Sequence, residues 1–521
     1  MPGVTEPGEE VDRPSIGRPE QLALARSGKD LKRKSLQSGT VTLGSQLSAI
    51  TLGTATTAIL GRILTPQDFG VVAMVLSVTV LAKLFQDIGL SSAAIQKGNL
   101  THEQSSTLFW INVSLGTFLT LLLSCLGPVL AWFYQQPEVL WVTIALSAKF
   151  LISGFSIQQG ALLKRSMRFK ALGKIQIAQA FVVAVVTVAA AVAGLRYWSL
   201  VLGVLAGSVS RSVMLWSTTG WVPGRAKRGV GTRDLVRFGA NVTGFELANY
   251  FSRNLDNVLI GKVWGADVLG LYSKAYALLM LPISNLRDPL NAVALPALSQ
   301  LRHHKARYRG YFRRYLSLLA FASMPVVAFL FVCSDNVILI LLGPRWIESS
   351  GIFSILAVSA FIQPVVASRG LVMITTGNSR RFFWFGIWNA LAVSTGFAIG
   401  VPWGAKGVAL AYVVVNYLTL YPSLLFCYKG TPICVRDFFT SIALAANASI
   451  AAAVITFVVK SAVGSGNALV ILAICATVFA AAYFLVFTVL PGGKTELKKY
   501  VSYLFLLIER RRESEGFKTG S

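Results

Sequence analysis

The chain has 521 residues, of which 54% are hydrophobic and only 13% are charged, and its formal net charge is +26. Soluble domains carry about 25% charged residues, so this composition excludes an ordinary soluble fold and indicates a polytopic membrane protein. The apolar stretches are continuous over about 20 residues and lack the alternation of barrel strands, which predicts an all-α protein.

In chain order, residues 1–36 are polar and mixed in charge, and they are expected to form a disordered cytoplasmic tail. Fourteen apolar segments follow, and each predicts a transmembrane helix. They centre on 41–62, 69–90, 107–134, 139–160, 175–194, 198–219, 236–261, 268–293, 315–335, 350–375, 382–400, 405–427, 439–460 and 467–490. Residues 491–521 form a second cytoplasmic tail, in which Glu496–Arg512 predicts an interfacial amphipathic helix or, alternatively, a partner-binding helix.

Lysines and arginines alternate between the connections of these segments. Connections after even-numbered spans contain 21 of them, whereas connections after odd-numbered spans contain six. Excess positive charge marks the cytoplasmic side of a membrane protein, so both termini are expected in the cytoplasm. Topology then explains the net charge, and we favour it over nucleic-acid binding.

Two ten-residue stretches resemble each other, GRILTPQDFG at Gly61–Gly70 and GKVWGADVLG at Gly261–Gly270. We call them the first and second tip stretches. Each joins an odd-numbered span to the next, and six spans separate them, so they indicate a parallel repeat rather than a coincidence in a glycine-rich chain. Their glycines are expected to permit tight turns, and Arg62 and Lys262 to lie at the outer interface.

The repeat predicts two pseudo-symmetric six-helix lobes around a central cavity, which is the plan of a secondary transporter. The N-terminal lobe is assigned to residues 37–220 and the C-terminal lobe to 221–430. Helices 13 and 14, in residues 431–490, fall outside the repeat and are expected to be peripheral or to face lipid.

Ionisable residues inside membrane spans are energetically costly and commonly mark a transport pathway. Lys149 and Arg211 have no partner on their own helices and are the strongest candidates. The pairs formed by Lys83 with Asp87 and by Arg253 with Asp256 fit either structural ion pairs or substrate contacts. The predicted substrate-binding residues of the cavity are Lys149, Arg211, Arg253, Lys83 and Lys274, and the acids that tune the cavity or bind a coupling cation are Asp87, Glu246 and Asp256.

A net-positive cavity suits an anionic substrate, because arginine and lysine bind phosphate through charge-assisted hydrogen bonds. No metal site is expected, since the five cysteines have unrelated spacings and the three histidines lie in polar connections. The sequence contains no P-loop motif, and no cofactor is expected apart from a coupling cation, H⁺ or Na⁺.

The stretch Arg62–Asn112, with QDIGLSSA in span two, resembles the first lobe of the bacterial Wzx-type polysaccharide flippases. The stretch Asn249–Leu286, with RNLD in span seven, resembles the matching part of their second lobe. These flippases belong to the multidrug/oligosaccharidyl-lipid/polysaccharide exporter superfamily, and the resemblance extends over roughly residues 36–430. It implies a V-shaped fold of twelve core helices plus two more, with functional charged residues in the lumen.

The resemblance also implies a function, which is the movement of an undecaprenyl-pyrophosphate-linked oligosaccharide across the bacterial inner membrane for exopolysaccharide or lipopolysaccharide synthesis. The expected partners are that substrate, membrane lipids, a polysaccharide polymerase and glycosyltransferases, with no nucleic acid, and the protein is expected to be a monomer. Alternatives are another lipid-linked exporter, a cation-coupled multidrug exporter, which would favour an acidic cavity, and a membrane enzyme acting on lipid-linked sugars. Such an enzyme would need a large extramembrane loop, whereas the external connections here are short, the longest being near Asp335–Ser350.

Overall fold

The computed structural model describes residues 44–87, 101–226, 233–464, 466–500 and 502, with the side chains of all of these except 87, 233–253 and 379. This part of the chain consists of helices and short turns, without a β-strand. The helices are α1 (44–63), α2 (Pro66–Asp87), α3 (His102–Tyr134), α4 (Glu138–Gly154), α5 (Ile157–Arg165), α6 (Phe169–Val192), α7 (Tyr197–Thr219), α8 (Arg233–Leu301), α9 (Lys305–Val332), α10 (Ser334–Leu341), α11 (Glu348–Val366), α12 (Ser368–Thr375), α13 (Ser379–Gly400), α14 (Gly404–Tyr428), α15 (Val435–Val463), α16 (Ala468–Val489) and α17 (493–500).

Each of the fourteen predicted segments overlaps one of these helices or two consecutive ones. Among the described residues, ten helices are long and apolar enough to cross a membrane, or eleven if α4 and α5, which are bent by 41°, form one span. Two of the ten, Asn254–Leu301 and Arg380–Tyr428, contain 48 and 49 residues. A single crossing needs about 20 residues, so each is long enough for two. The multi-pass helical fold is confirmed, and the count of fourteen spans stays a prediction.

The helices form two lobes and a peripheral pair. Helices α2–α7 pack together in the N-terminal lobe, and α8, α9, α11, α13 and α14 pack together in the C-terminal lobe. Helix α15 packs on α9, and α16 packs on α15, with Phe312, Phe438 and Phe487 in one buried cluster. The residue numbers assigned to the lobe boundaries stay predictions.

The two tip stretches bind the opposite lobe through equivalent contacts. Arg62 donates from Nη2 to the carbonyl oxygen of Ile340 at 3.2 Å, and Lys262 donates from Nζ to that of Phe133 at 2.5 Å. Phe133 lies near the end of the third predicted span, and Ile340 lies in α10, directly after the ninth. Because six spans separate these acceptors, as they do the donors, the contacts agree with a parallel repeat.

Two glycines bring the backbones of α2 and α8 into direct contact. A Cβ atom added to Gly70 would lie 1.8 Å from the carbonyl oxygen of Ala266, and one added to Gly270 would lie 1.9 Å from that of Pro66. Small residues allow such close approach between membrane helices. The contact is reciprocal, since Pro66 and Ala266 occupy matching positions in the two tip stretches.

The glycines that open and close the tip stretches lie within helices, so the prediction that they form turns was wrong. The first turn is at residues 64–65, where the backbone N–H of Thr65 donates to Asp68 Oδ2 at 3.0 Å and that of Asp68 donates to Thr65 Oγ1 at 3.3 Å. This is a capping box at the start of α2. The second stretch instead breaks α8 at Gly265, whose φ of 79° is readily adopted only by glycine.

A buried apolar core joins the lobes around the tip stretches, and we call this part of the molecule the closed end. The indole N–H of Trp346 donates to the carbonyl oxygen of Gly61 at 2.8 Å. The Trp346 ring lies edge-on to Phe69, with 5.3 Å between ring centroids. Tyr272 and Leu269 are buried in the same cluster.

Candidate functional site

The main candidate site is a cavity of about 630 Å³, which we call the first cavity. Its described lining comes from α2, α4, α5, α6 and α7, all in the N-terminal lobe. Helices α2, α4 and α7 begin at the closed end, and their rise of about 1.5 Å per residue places Lys83 ~25 Å, Lys149 ~16 Å and Arg211 ~21 Å from their first residues. The cavity therefore lies in the half of the lobe away from the closed end.

Four cationic side chains line the first cavity, namely Lys83, Lys149, Lys164 and Arg211. Lys149 and Arg211 are half-buried, whereas Lys83 and Lys164 are more exposed. The lining contains no carboxylate among the residues whose side chains are described. Partly buried cations without a counter-charge are costly, so the cavity favours the entry of an anion.

Neutral polar groups orient the helices that carry these cations. The side-chain amide of Gln86 donates to the carbonyl oxygen of Phe150 at 2.8 Å and thereby connects α2 to α4 next to Lys83 and Lys149. Arg211 donates from Nη1 to Gln179 Oε1 at 3.2 Å, which connects α7 to α6. A neutral acceptor leaves the guanidinium charge uncompensated and its other donors available.

A second cavity, of about 600 Å³, lies where the two lobes meet. It is lined by α1, α2, α6 and α7 and by the part of α8 around its break. Both cavities share the lining residues Leu76, Val80, Gln179 and Val204, so they adjoin each other along these side chains. The ammonium group of Lys274 lines the second cavity and lies 3.9 Å from the ring centroid of Phe69, a cation–π contact.

The structure thus brings three predicted cations together, Lys83, Lys149 and Arg211, and places Lys274 in the adjoining cavity. The sequence predicted that these residues face a chamber between the lobes. The described lining around the first three comes from the N-terminal lobe, while the side chains of residues 233–253 in the C-terminal lobe lie outside the described residues, so this placement stays a prediction. The rise per residue gives depth along a helix but not the direction in which a side chain points, so the sequence alone does not specify which helices surround each cation.

Asp256 is 4% exposed and does not belong to the described lining of either cavity. Its Oδ2 accepts a hydrogen bond from the hydroxyl of Tyr272 at 2.8 Å, and its Oδ1 accepts one from the backbone N–H of Asn257 at 2.8 Å. Asp256 and Tyr272 lie on opposite sides of the α8 break, so their bond stabilises this hairpin. The side chains of Asp87, Glu246 and Arg253 lie outside the described residues.

Sequence reasoning missed Lys164, which was assigned to a cytoplasmic connection. The bend between α4 and α5 turns α5 so that Ile157, Gly160, Ala161 and Lys164 all line the first cavity. Their spacing of three, four and seven residues is that of one helix face, and this pattern was visible in the sequence.

Comparison with known proteins places the chain in a family. The chain is 29% identical over 374 residues to the teichuronic acid biosynthesis protein TuaB of Bacillus subtilis (strain 168), covering 69% of this chain and 76% of that protein. It is 24% identical over 376 residues to the lipopolysaccharide biosynthesis protein WzxC of Escherichia coli (strain K12), covering 71% and 76% of the two chains.

Among solved structures, the fold is similar to that of the lipid II flippase MurJ in an inward closed conformation. The TM-score is 0.71 at 11% identity, over 86% of this chain and 98% of that one. A family model described as polysaccharide biosynthesis protein matches residues 59–351, a range that contains every cation in the described lining of the two cavities. This multi-pass membrane protein therefore belongs to the polysaccharide biosynthesis protein family.

Proposed function

We propose that the protein is a flippase that moves an oligosaccharide linked to polyprenyl pyrophosphate across the plasma membrane, for the synthesis of an exopolysaccharide or lipopolysaccharide. The observation that carries the proposal is the first cavity, where four cations meet without a described carboxylate. Relatives named for teichuronic acid and lipopolysaccharide biosynthesis, and a fold shared with a lipid II flippase, support this class of substrate.

The pyrophosphate binds in the first cavity. Arg211 offers two parallel N–H donors that match phosphate oxygens, and Lys83 and Lys149 add charge from the facing helices. A charge-assisted hydrogen bond contributes roughly 1.5–3 kcal/mol, so two or three of them hold the head group firmly. The sugars extend towards the adjoining second cavity, and the polyprenyl chain stays in the surrounding lipid.

Transport follows by alternating access. In the present conformation the lobes are joined at the closed end. The excess of basic connections lies at the opposite ends of the helices, which supports placing the closed end at the outer face. Release to the outer leaflet requires separation of the tip stretches and closure of the lobes at the inner face. The same charge distribution supports a cytoplasmic location for both termini.

The energy source follows from the charge of the substrate. Moving one negative charge outward across an inside-negative membrane is favoured by about 2.3 kcal/mol per 100 mV, and a pyrophosphate diester carries about two such charges. The membrane potential thus favours export, and a coupling cation, H⁺ or Na⁺, would add to this driving force. The predicted cation-binding acids are Asp87 and Glu246, while the contact of Asp256 with Tyr272 favours a structural role for that carboxylate.

The chemistry of the substrate defines its partners. Glycosyltransferases must assemble the oligosaccharide on its lipid carrier before export, and a polysaccharide polymerase must consume it afterwards. We propose that the flippase acts as a monomer beside these enzymes in the bacterial inner membrane.

The test is transport of a fluorescent polyprenyl-pyrophosphate-linked oligosaccharide in proteoliposomes. We expect Lys149→Gln and Arg211→Gln each to lower the initial rate by roughly 10- to 100-fold, which corresponds to the loss of one or two charge-assisted contacts. Arg345→Gln is the matched control, since this arginine is exposed and does not line either cavity. Full transport by the Lys149→Gln/Arg211→Gln double variant would overturn the proposal. So would a wild-type protein that exports a cationic dye instead of the lipid-linked oligosaccharide.

A further inference from the structure

We infer that a second phosphate-binding site, for the head group of an anionic membrane lipid, lies where the C-terminal lobe meets the peripheral helices α15 and α16. It is a pocket of about 540 Å³ between α9, α15, α16 and α17, which we call the arginine pocket. Arg313, Arg314, Ser441, Phe487, Glu496 and Tyr500 line it, among others. None of these residues lines the cavities of the transport site.

Within the described part of the chain, the two arginines of the pocket keep most of their charge uncompensated. The nearby carboxylate of Asp437 is engaged by Arg309, whose Nε and Nη2 donate to its two oxygens at 2.7 and 2.9 Å. Arg313 reaches the same carboxylate only at 3.9 Å, and its side chain is 51% exposed. Arg314 lies next to it and is also exposed. Both guanidinium groups therefore have N–H donors available for a phosphate.

The single carboxylate of the described lining is neutralised from outside the pocket. Glu496 accepts from the ammonium group of Lys499 at 2.6 Å, within α17. The net charge of the pocket around Arg313 and Arg314 thus stays positive, and this charge favours binding of an anion over a cation.

A buried hydroxyl at the pocket wall lacks a partner. Ser441 is 6% exposed, and its Oγ has no hydrogen-bond partner within the part of the chain that the structure describes. Most buried hydroxyl groups in proteins are hydrogen-bonded, so a buried hydroxyl without a partner favours a ligand that can form this hydrogen bond. A phosphate oxygen held by the arginines would accept a hydrogen bond from this hydroxyl.

The remaining walls select a lipid over a free phosphate. Leu444, Ala445 and Phe487 provide an apolar surface beside the arginines, and the ring of Tyr500 lies 4.7 Å from that of Phe321 on α9. The pocket is at the basic end of the helices, the predicted cytoplasmic side. Basic pockets between membrane helices on that side bind anionic head groups. A lipid bound here contacts both α9 and α17 and fixes the C-terminal helix to the bundle.

The experiment uses the purified full-length protein in phosphatidylcholine nanodiscs with and without phosphatidylglycerol, and native mass spectrometry to count retained lipid. We expect phosphatidylglycerol to be retained by the wild-type protein. We expect the retained fraction to fall about ten-fold for Arg313→Gln/Arg314→Gln, in line with the loss of one strong charge-assisted contact. Ser441→Ala, which disturbs no ion pair, should give a smaller loss of about three-fold.

The matched control is Lys305→Gln/Arg307→Gln, which removes two exposed cations from the same helix without touching the pocket. Equal loss in both double variants would show attraction to charge alone and would overturn the proposal. Equal retention of phosphatidylcholine, or displacement of phosphatidylglycerol by inorganic phosphate at similar concentration, would do the same. Retention by the control together with loss in Ser441→Ala would support it even if the arginine variant did not fold.

Discussion

Replacing Gly70 by alanine would place a methyl carbon 1.8 Å from the carbonyl oxygen of Ala266, and replacing Gly270 would place one 1.9 Å from that of Pro66. A carbon and an oxygen atom need about 3.3 Å between them, so each substitution requires α2 and α8 to separate by ~1.5 Å. The obstructing atoms belong to helix backbone, which cannot rotate away as a flexible side chain can.

The energetic consequence falls on one conformation only. Overpacking of a well-packed contact costs about 1–3 kcal/mol, and here that penalty applies only while the tip stretches touch. A penalty of 3 kcal/mol changes a two-state equilibrium by roughly 100-fold, so alanine shifts the protein towards conformations in which the closed end is open. Because the two contacts are reciprocal, Gly70→Ala and Gly270→Ala should have similar effects.

The assay is a distance distribution between spin labels at Gln135→Cys and Val263→Cys, two exposed positions beside the Lys262–Phe133 bond. The two exposed native cysteines, Cys125 and Cys434, would be replaced by serine beforehand. We expect the short-distance population to fall in both glycine variants.

Gly310→Ala is the control, since a methyl group there meets nothing within 4 Å. A folded Gly70→Ala protein with the wild-type distance distribution would refute the reasoning.

Two further predictions concern hydrogen bonds that join parts of the repeat. Tyr272→Phe should lower the free energy of unfolding by about 1–3 kcal/mol in a denaturant titration, because it removes the donor to the buried Asp256, and a neutral result would mean that water replaces the hydroxyl. Arg62→Gln and Lys262→Gln should each change the free energy of unfolding by less than about 1 kcal/mol, because both cations are exposed. Unequal effects of these two substitutions would contradict the equivalence of Arg62 and Lys262 in the repeat.

Much of the fold could be predicted because apolar length is a direct physical requirement of a membrane span. The starts of two helices could also be read from the sequence. Thr101 and Gln104 form a capping box that starts α3 at His102, five residues before the predicted span, and Thr65 and Asp68 form another. The turn at Gly265 was less evident. GKVWGADVLG contains three glycines, and nothing in the sequence shows that the middle one has a positive φ while the outer two allow close packing.

The candidate site could be predicted in part. The rarity of cations in membrane spans identified Lys83, Lys149 and Arg211, which the fold brings into one cavity. Their assignment to the gap between the lobes stays a prediction, since it depends on the rotation of each helix about its axis. Lys164 was missed because topology alone explains a cation near a helix end, and only the bend between α4 and α5 turns this lysine inward.

The repeat and the site differ in symmetry, and this difference bears on how the proposed transport works. The contacts at the closed end are matched between lobes, so each lobe provides an equivalent part of the contact that must break when this end opens. The described lining of the first cavity belongs to the N-terminal lobe alone, and the C-terminal lobe provides Lys274 in the adjoining space. In the proposed mechanism, a head group held by Lys149 and Arg211 moves with the N-terminal lobe, which carries both residues. Substitutions in the first cavity should then change substrate affinity, whereas those at the tip stretches should change the rate of interconversion for any substrate.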